Sequence, residues 1–164
     1  MTSTDTYILF QLADATYGVS SDHVWHVDML GHVTPVPNTS AAVDGVVFSR
    51  GQVVPALNLR ARFGLPRIGS THRTRLIFLK LQQRMVALVV DSAREFRRIL
   101  PEAIRPVEGN LHGIQGNYVK GVASVGDRSV LLLDVAAVLS PEETQALVAL
   151  NTPAQANPSV QLSR

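Results

Sequence analysis

The sequence predicts an all-β protein with a few short helices, built from two copies of a small strand-rich unit. Three observations support this prediction. Short apolar stretches alternate with turn-forming residues along most of the chain. The chain also repeats itself at a nearly constant spacing. Finally, 46% hydrophobic residues over 164 positions supply enough apolar surface for one shared core, which excludes wholesale disorder.

The N-terminal part is predicted to consist of strands joined by turns. Tyr7–Leu12 is apolar, and it precedes the turn-like Ala13–Thr16 and a second strand at Tyr17–Val19. Val24–Met29 fits either a strand or a helical turn. Thr34–Asn38 holds two prolines, each of which removes a hydrogen-bond donor, so we expect a surface loop there. Later apolar stretches pair around turns, namely Gly45–Arg50 with Gln52–Leu57, Thr74–Leu81 with Met85–Val90, and Val122–Val125 with Ser129–Leu133.

Helices are predicted at only a few places. Asn58 and Asp134 each follow a strand directly and are typical N-cap residues, so short helices are expected at Leu59–Phe63 and Val135–Leu139. A serine, a proline and a glutamate at the start of the segment 141–150 form a capping box, which predicts a final helix.

The repeat is the strongest sign of how the chain is organised. A shift of 76 residues carries Gly45 onto Gly121, Leu57 onto Leu133 and Asn58 onto Asp134. Nearer the N-terminus the shift is smaller. It is 68 for Ile8–Phe10, which matches Leu76–Phe78, and 69 for Asp22, which matches Asp91. Two units that each end in strand, cap and short helix are therefore expected to form a pair of small barrels. Because the shift increases along the chain, the second copy is expected to hold an insertion around Arg97–Asn117.

These patterns predict one domain with short tails. Residues 1–6 are expected to be an N-terminal tail, and 7–150 a single domain. Within it, two repeated subdomains would cover about 7–67 and 74–140, followed by the helix at 141–150. The segment 151–164 lacks periodicity and is expected to be a flexible tail. An exchange of strands between the subdomains is left open.

Composition limits the classes of function. The chain has no cysteine, which excludes disulfides, thiolate metal sites and a cysteine nucleophile. Its N-terminus is polar and no apolar run approaches the ~20 residues of a bilayer span, so we expect a cytoplasmic protein without direct membrane insertion. The formal charge is only +2, although the 15 basic residues are mostly arginine, which favours pairing with protein carboxylates.

No catalytic, metal or cofactor site is predicted. The sequence contains neither a G-x-S-x-G elbow nor a P-loop or G-x-G-x-x-G phosphate cradle. His23 and His26 are three residues apart, and no nearby cluster supplies a third metal ligand. The protein is therefore expected not to be an enzyme and to bind no cofactor.

Arginines are the remaining candidates for a functional surface. Arg94–Arg98 and Arg60–Arg62 are basic clusters that suit a solvated face, a protein interface or a nucleic acid. Nucleic acid is disfavoured because lysines and exposed aromatic residues are few. Arg50 stands at a hairpin tip before Gly51, where it is either a solvated turn residue or a partner for a carboxylate on another protein.

Several spaced residues together resemble the CheW family of bacterial chemotaxis coupling proteins. The resemblance spans about Tyr7 to Leu150 and rests on Tyr17–Gly18, Val24, Val27, Thr34–Asn38, Gly45–Val47, Arg50–Gly51, Val54–Pro55, Asn58–Arg60, Val89–Asp91, Ile104–Pro106, Tyr118–Val122 and Leu131–Asp134. It implies two SH3-like five-stranded β-barrels around a shared hydrophobic core. It also implies a non-enzymatic adaptor that joins the regulatory domain of a CheA-type histidine kinase to the hairpin tip of methyl-accepting chemoreceptors in membrane-associated arrays. Ring formation with itself is left open.

The resemblance also assigns roles to individual residues. Val24, Val27, Arg50 and Ala93 would form the receptor-binding groove, where an apolar stripe of the receptor hairpin would lie. Arg105 would contact the kinase. Gly45 and Gly51 would be structural glycines, kept because a side chain would clash there. These residues are Val24, Val27, Gly45, Arg50, Gly51, Ala93 and Arg105.

One departure from the family pattern concerns Arg50. Where the family commonly has an acidic residue, this chain has His26, which removes an expected ion pair with Arg50. The partner could then belong to another system, such as a PilI-type coupler of pilus motility. A rival from another class is a small-barrel nucleic-acid-binding protein, which steeply salt-dependent binding to random DNA or RNA would reveal.

Overall fold

The computed structural model describes residues 5–81, 84–107 and 118–138, which form eleven strands and two short α-helices. The strands are β1 (Thr6–Leu12), β2 (Ala15–Ser20), β3 (Val24–Met29), β4 (Val43–Ser49), β5 (Gln52–Asn58), β6 (Arg75–Leu81), β7 (Arg84–Val90), β8 (Ser92–Arg98), β9 (Ile104–Pro106), β10 (Val119–Val125) and β11 (Arg128–Leu133). The helices are α1 (Leu59–Arg62) and α2 (Val135–Val138), and 3₁₀ turns lie at Ser21–His23 and Pro101–Ala103.

The strands form two sheets, and each sheet takes strands from both halves of the chain. The six-stranded sheet has the order β8-β1-β2-β11-β10-β9, and the five-stranded sheet has the order β3-β6-β7-β5-β4. Most neighbours are antiparallel, but β2 pairs with β11 and β5 with β7 in parallel. Residues 7–67 and 74–140 therefore each contribute to both sheets.

The sequence repeat corresponds to a twofold-like relation between the sheets. Ala56 pairs with Ala87 in one sheet, and their counterparts Leu132 and Gly18 pair in the other. The bulge between Val43 and Gly45 likewise recurs between Val119 and Gly121. In the hairpins, Ile8 pairs with Val19 and Ile77 with Leu88, so β1 corresponds to β6 at a shift of 69 and not the 68 expected from the sequence.

One large core joins the two sheets. Its buried side chains come from β1 and β2 of the six-stranded sheet and from β5, β6 and β7 of the five-stranded sheet, together with residues of both short helices. The largest are Tyr17, Phe10, Phe63, Ile8, Leu12, Leu57, Leu59, Ile77, Leu79 and Leu88. Each sheet also has one smaller cluster of buried residues. The two sheets therefore pack against each other through this large core.

The predicted fold class is confirmed, since the chain is mostly β with short helices. Two five-stranded units were expected; the two sheets have five and six strands, and the sixth strand is β9. Its counterpart in the other sheet is a single bridge between Thr34 and Val46. The first residue of the predicted loop Thr34–Asn38 therefore forms a backbone bridge to the sheet.

Two strands were missed in the sequence. β8 coincides with the basic cluster at Arg94–Arg98 and is an edge strand of its sheet. Its exposed residues include Phe96 besides the arginines, so it shows no regular apolar alternation. β9 has only three residues and ends at Pro106. Both strands fall within or beside the segment in which an insertion was expected. The weak apolar alternation of that segment therefore corresponds to the two edge strands of the six-stranded sheet.

Short capped helices follow β5 and β11 as predicted. The Asn58 side chain accepts a hydrogen bond from the Ala61 amide at 3.0 Å, and Asp134 accepts one from the Ala137 amide at 3.3 Å. The expected final helix at 141–150 and the tail at 151–164 lie outside the described residues. Strand β1 begins at Thr6, the last residue of the expected N-terminal tail. Within the described ranges, no helix has the length and apolarity needed to cross a bilayer.

Candidate protein-binding site

The β4–β5 hairpin presents Arg50 at its tip. Ser49 pairs with Gln52, which leaves Arg50 and Gly51 as a two-residue turn. Both have positive φ angles, 52° and 80°, and a turn of this kind matches the right-handed twist of the strands. A non-glycine residue in this left-handed region costs ~1–2 kcal/mol. The chain therefore keeps an arginine where glycine or asparagine would be less strained.

The Arg50 guanidinium lies over the indole of Trp25 on β3. Its Cζ atom is 5.4 Å from the ring centroid, a cation–π distance. Trp25 remains 42% exposed, so the pair lies at the surface. Among the described residues, no carboxylate is within ion-pair distance of Arg50. The family's expected internal ion pair is thus replaced by an aromatic contact.

His26 lies beneath this pair. Its ring stacks on the buried Phe78 with centroids 4.2 Å apart, and Nε2 lies 3.3 Å from the Ser49 hydroxyl and 3.2 Å from the Asp28 carboxylate. Burial lowers the pKa of His26, the positive charge of Arg50 lowers it further, and Asp28 opposes the shift. The histidine is therefore held in its neutral form near pH 7.

Val24, Val27 and Ala93 are half-buried and pack against the shared core. Val24 pairs with Leu79, and Ala93 pairs with Phe10. These two pairs correspond at the shift of 69, so Val24 and Ala93 occupy equivalent positions on the edge strands β3 and β8. The structure thus places these expected receptor residues where the core shared by both sheets reaches the surface.

Arg105 belongs to a different part of the molecule. It is exposed on β9, at the edge of the six-stranded sheet, and pairs with Val122 on β10. Arg50 and Trp25 belong to the five-stranded sheet. Ala93 is on β8, at the other end of the six-stranded sheet from Arg105, so Arg105 lies apart from the residues expected to bind the receptor.

The two expected structural glycines are constrained in different ways. Gly45 has a φ of +146°, and a Cβ there would lie 2.1 Å from the carbonyl oxygen of Thr34. Gly51 has a φ of +80°, but no heavy atom lies within 4 Å of its hypothetical Cβ. A clash was expected at both positions; at Gly51 the constraint is the backbone angle alone.

The basic clusters are partly engaged within the fold. Arg60 forms a two-pronged ion pair with Asp91, at 2.8 and 2.7 Å. Glu95 lies 3.2 Å from Arg97 and 3.5 Å from Arg128. These pairs reduce the free positive charge that a nucleic-acid surface would need.

Sequence reasoning missed Trp25, the partner of Arg50, and a groove near the same hairpin. Trp25 directly follows Val24, and its isolation as the chain's single tryptophan was the available signal. Phe48, 78% exposed, and Met29 line a shallow groove beside Asp28 and Ser49. In the part of the chain that the structure describes, no group of three His, Asp or Glu side chains is placed to hold a metal ion.

Two β-sheets packed on one core, with an apolar junction beside an exposed arginine, suit a protein that binds other proteins. The model of the CheW-like domain family matches residues 6–143, so the chain belongs to this family. Chemotaxis protein CheW of Klebsiella aerogenes is 30% identical over 137 residues, which is 84% of this chain and 82% of that protein. Protein FrzA of Myxococcus xanthus is 36% identical over 103 residues, 61% of this chain and 62% of that protein.

A solved structure supports the same fold. The scaffolding protein TtCheW from Thermoanaerobacter tengcongensis matches with a TM-score of 0.79 and 23% identity, covering 85% of this chain and 95% of that one. The resemblance found in the sequence is thereby confirmed. The chain is a chemotaxis scaffold of the CheW type.

Proposed function

We propose that this protein couples a CheA-type histidine kinase to the cytoplasmic hairpin tips of methyl-accepting chemoreceptors. Membership of the CheW-like family supports this role. Scaffolding requires rigid faces at fixed angles and no proton transfer, and two sheets packed on one core provide such faces. The protein would act as a non-enzymatic adaptor in the cytoplasm, recruited to receptor arrays.

The receptor surface would include Val24, Val27, Ala93 and Arg50. The observation that carries this assignment is the half-buried apolar junction at which Val24 and Ala93 meet the shared core. A helical hairpin binds such a junction through an apolar stripe. Arg50 stands on the turn beside β3, so a carboxylate flanking the stripe could pair with it.

The kinase surface would include Arg105. Its strand β9 is an exposed edge, and only one side of β9 pairs with β10. An edge with an exposed arginine suits a partner β-domain that carries carboxylates. Arg50 belongs to the other sheet, and Ala93 on β8 lies at the opposite end of the strand order from Arg105 on β9, so both partners could bind at once.

The match to FrzA favours a second candidate. That relative has a name other than CheW, although it is similar to this chain. The same surfaces could serve a coupler of a pilus-motility or other chemosensory pathway. The receptor that binds best would distinguish the two candidates.

Binding to each partner separately tests the proposal. We expect Arg50→Glu to reduce binding to a chemoreceptor cytoplasmic fragment at least tenfold and to leave kinase regulatory-domain binding unchanged. Arg105→Glu should do the reverse. Arg73→Glu, the same charge change at an exposed loop residue, is the matched control. Calorimetry measures each affinity, and circular dichroism checks the fold.

Val24→Asp tests the apolar part of the receptor surface. Binding would bury an unpaired carboxylate, which costs several kcal/mol, so receptor affinity should fall below detection. Because Val24 also packs on the core, Val24→Thr serves as a milder companion that preserves side-chain shape. Normal receptor affinity in folded Val24→Asp and Arg50→Glu proteins would contradict the proposal.

A further inference from the structure

A column of aromatic rings in contact, one pair stacked and one edge-to-face, connects the protein core to Arg50. Phe78 is buried, His26 stacks on it at 4.2 Å, and Trp25 meets His26 edge-to-face at 4.8 Å. Arg50 completes the column, with Cζ 5.4 Å from the Trp25 centroid. The exposed cation therefore rests on a support that reaches the interior of the five-stranded sheet.

The cation–π contact does not use the hydrogen-bond donors of the guanidinium. It is an electrostatic attraction between the cation and the ring, and it provides no acceptor for the N–H groups. Within the described ranges, no side chain or carbonyl accepts a hydrogen bond from Arg50. The donors therefore remain available for a carboxylate, which a guanidinium can bind with two parallel hydrogen bonds.

An unsupported arginine would be a poorer binding group. Its long side chain loses rotamer freedom when a partner orders it, and this loss opposes binding. Stacking on Trp25 removes part of that freedom beforehand. The neutral His26 helps, since a carboxylate in its place would compete for the same guanidinium edges.

We propose that Trp25 is a positioning residue, which holds Arg50 ready to bind a carboxylate on the receptor hairpin. This inference rests on the proposed receptor-binding function. It assigns Trp25 an indirect role, because the indole supports the cation and need not touch the receptor. The nearest alternative is that Trp25 is itself a direct contact.

The free protein provides the first test. Trp25 is the only tryptophan, so intrinsic fluorescence reports on this residue alone. Arg50→Ala should shift the emission maximum and raise the acrylamide quenching constant, while Arg73→Ala should change neither. An Arg50→Ala protein with unchanged emission and quenching would overturn the stacking on which the proposal depends.

A double-mutant cycle provides the second test, with a chemoreceptor cytoplasmic fragment as the probe. Trp25→Leu should weaken binding about two- to fivefold, the range expected for an exposed cation–π contact, and Trp25→Phe should weaken it less. In an Arg50→Ala background, Trp25→Leu should have no further effect. Rescue by phenylalanine and dependence on Arg50 would not follow from a general structural role.

The outcomes separate the two proposals. Equal losses from Trp25→Leu in both backgrounds would show direct contact and overturn the positioning role alone. Absence of binding by the unsubstituted protein would overturn the proposed function, and the positioning role with it. Circular dichroism of each variant confirms that the compared proteins are folded.

Discussion

Gly45 combines a positive φ angle with a close backbone contact, so few other residues could replace it. An alanine there would combine a φ of +146° with a Cβ 2.1 Å from the Thr34 carbonyl oxygen. We expect Gly45→Ala to lower the free energy of unfolding by ~3 kcal/mol or more. Urea denaturation measures this change.

Gly51 provides the matched comparison. Its φ is also positive, but the space around it is open, so Gly51→Ala should lower stability by only ~1–2 kcal/mol. Equal losses at the two glycines would show that the contact with Thr34 does not matter.

His26 makes stability depend on pH. Its pKa is lowered in the folded protein, first by burial and then by Arg50, so the unfolded chain binds the proton more readily. The stabilisation is therefore present above the unfolded pKa of about 6.5 and is lost as pH falls through it toward the folded value. Urea midpoints at pH 7.5 and 5.5 should differ less in His26→Phe, which keeps the stack on Phe78.

An exposed histidine serves as the control for this pH effect. His72 lies on a solvent-facing loop, and His72→Gln should leave the difference between the two midpoints as it is in the unsubstituted protein. If His26→Phe showed the same pH dependence as the unsubstituted protein, the protonation of another group would have to explain it.

At the scale of elements, Asp91 joins three segments. It follows β7, its carboxylate pairs with Arg60 on α1, and Oδ2 accepts a hydrogen bond from the Ala13 amide in the β1–β2 turn at 2.8 Å. Because both charged side chains are largely buried, removing one partner leaves the other poorly compensated. This small network fixes one sheet against the other.

The contribution of Asp91 should vanish in acid. Hydrogen bonds from Arg60 are the main cause of its lowered pKa, so its stabilisation exists above the unfolded pKa of about 3.9 and is lost as pH falls through the folded value. We expect Asp91→Asn to lose ~1–3 kcal/mol at pH 7 and a smaller amount near pH 3, which is below the unfolded pKa. Asp127→Asn, at the exposed tip of another hairpin, is the control. A loss independent of pH would exclude the ion pair as its source.

The sequence predicted those elements whose structure is determined by residues close to them in the chain. The β4–β5 turn and the Asn58 cap depend on neighbouring residues, and both were predicted correctly. Strand β8 was missed because exposed charged residues, among them Arg94 and Arg97, interrupt the apolar alternation along it. The Trp25–Arg50 contact was missed because it depends on tertiary packing that brings β3 beside a turn 25 residues later in the chain.

At the scale of the whole molecule, the internal repeat was visible but the sharing of strands was not. Matching residues such as Asn58 and Asp134 show that two units are alike. They carry no information on whether a strand pairs within its own unit or with the other. The parallel pairings of β2 with β11 and of β5 with β7 decide this, and they join residues far apart in the sequence.

Because the two sheets share one core, we expect the domain to unfold in a single transition. Leu12 lies on β1 in the six-stranded sheet and is fully buried in that core. Leu12→Ala should lower the free energy of unfolding by ~2–5 kcal/mol. Trp25 fluorescence, which reports from the five-stranded sheet, should record the same loss as far-UV circular dichroism.

Leu79→Ala is the matched variant in the other sheet, since Leu79 lies on β6 and enters the same core. Both substitutions should shift the fluorescence and dichroism midpoints together, because the largest core contains buried residues of both sheets. If Leu12→Ala moved the dichroism midpoint and left the Trp25 midpoint in place, the sheets would unfold independently. The angle between the two proposed binding faces would then not be fixed by the shared core, and a scaffold role would need another source of rigidity.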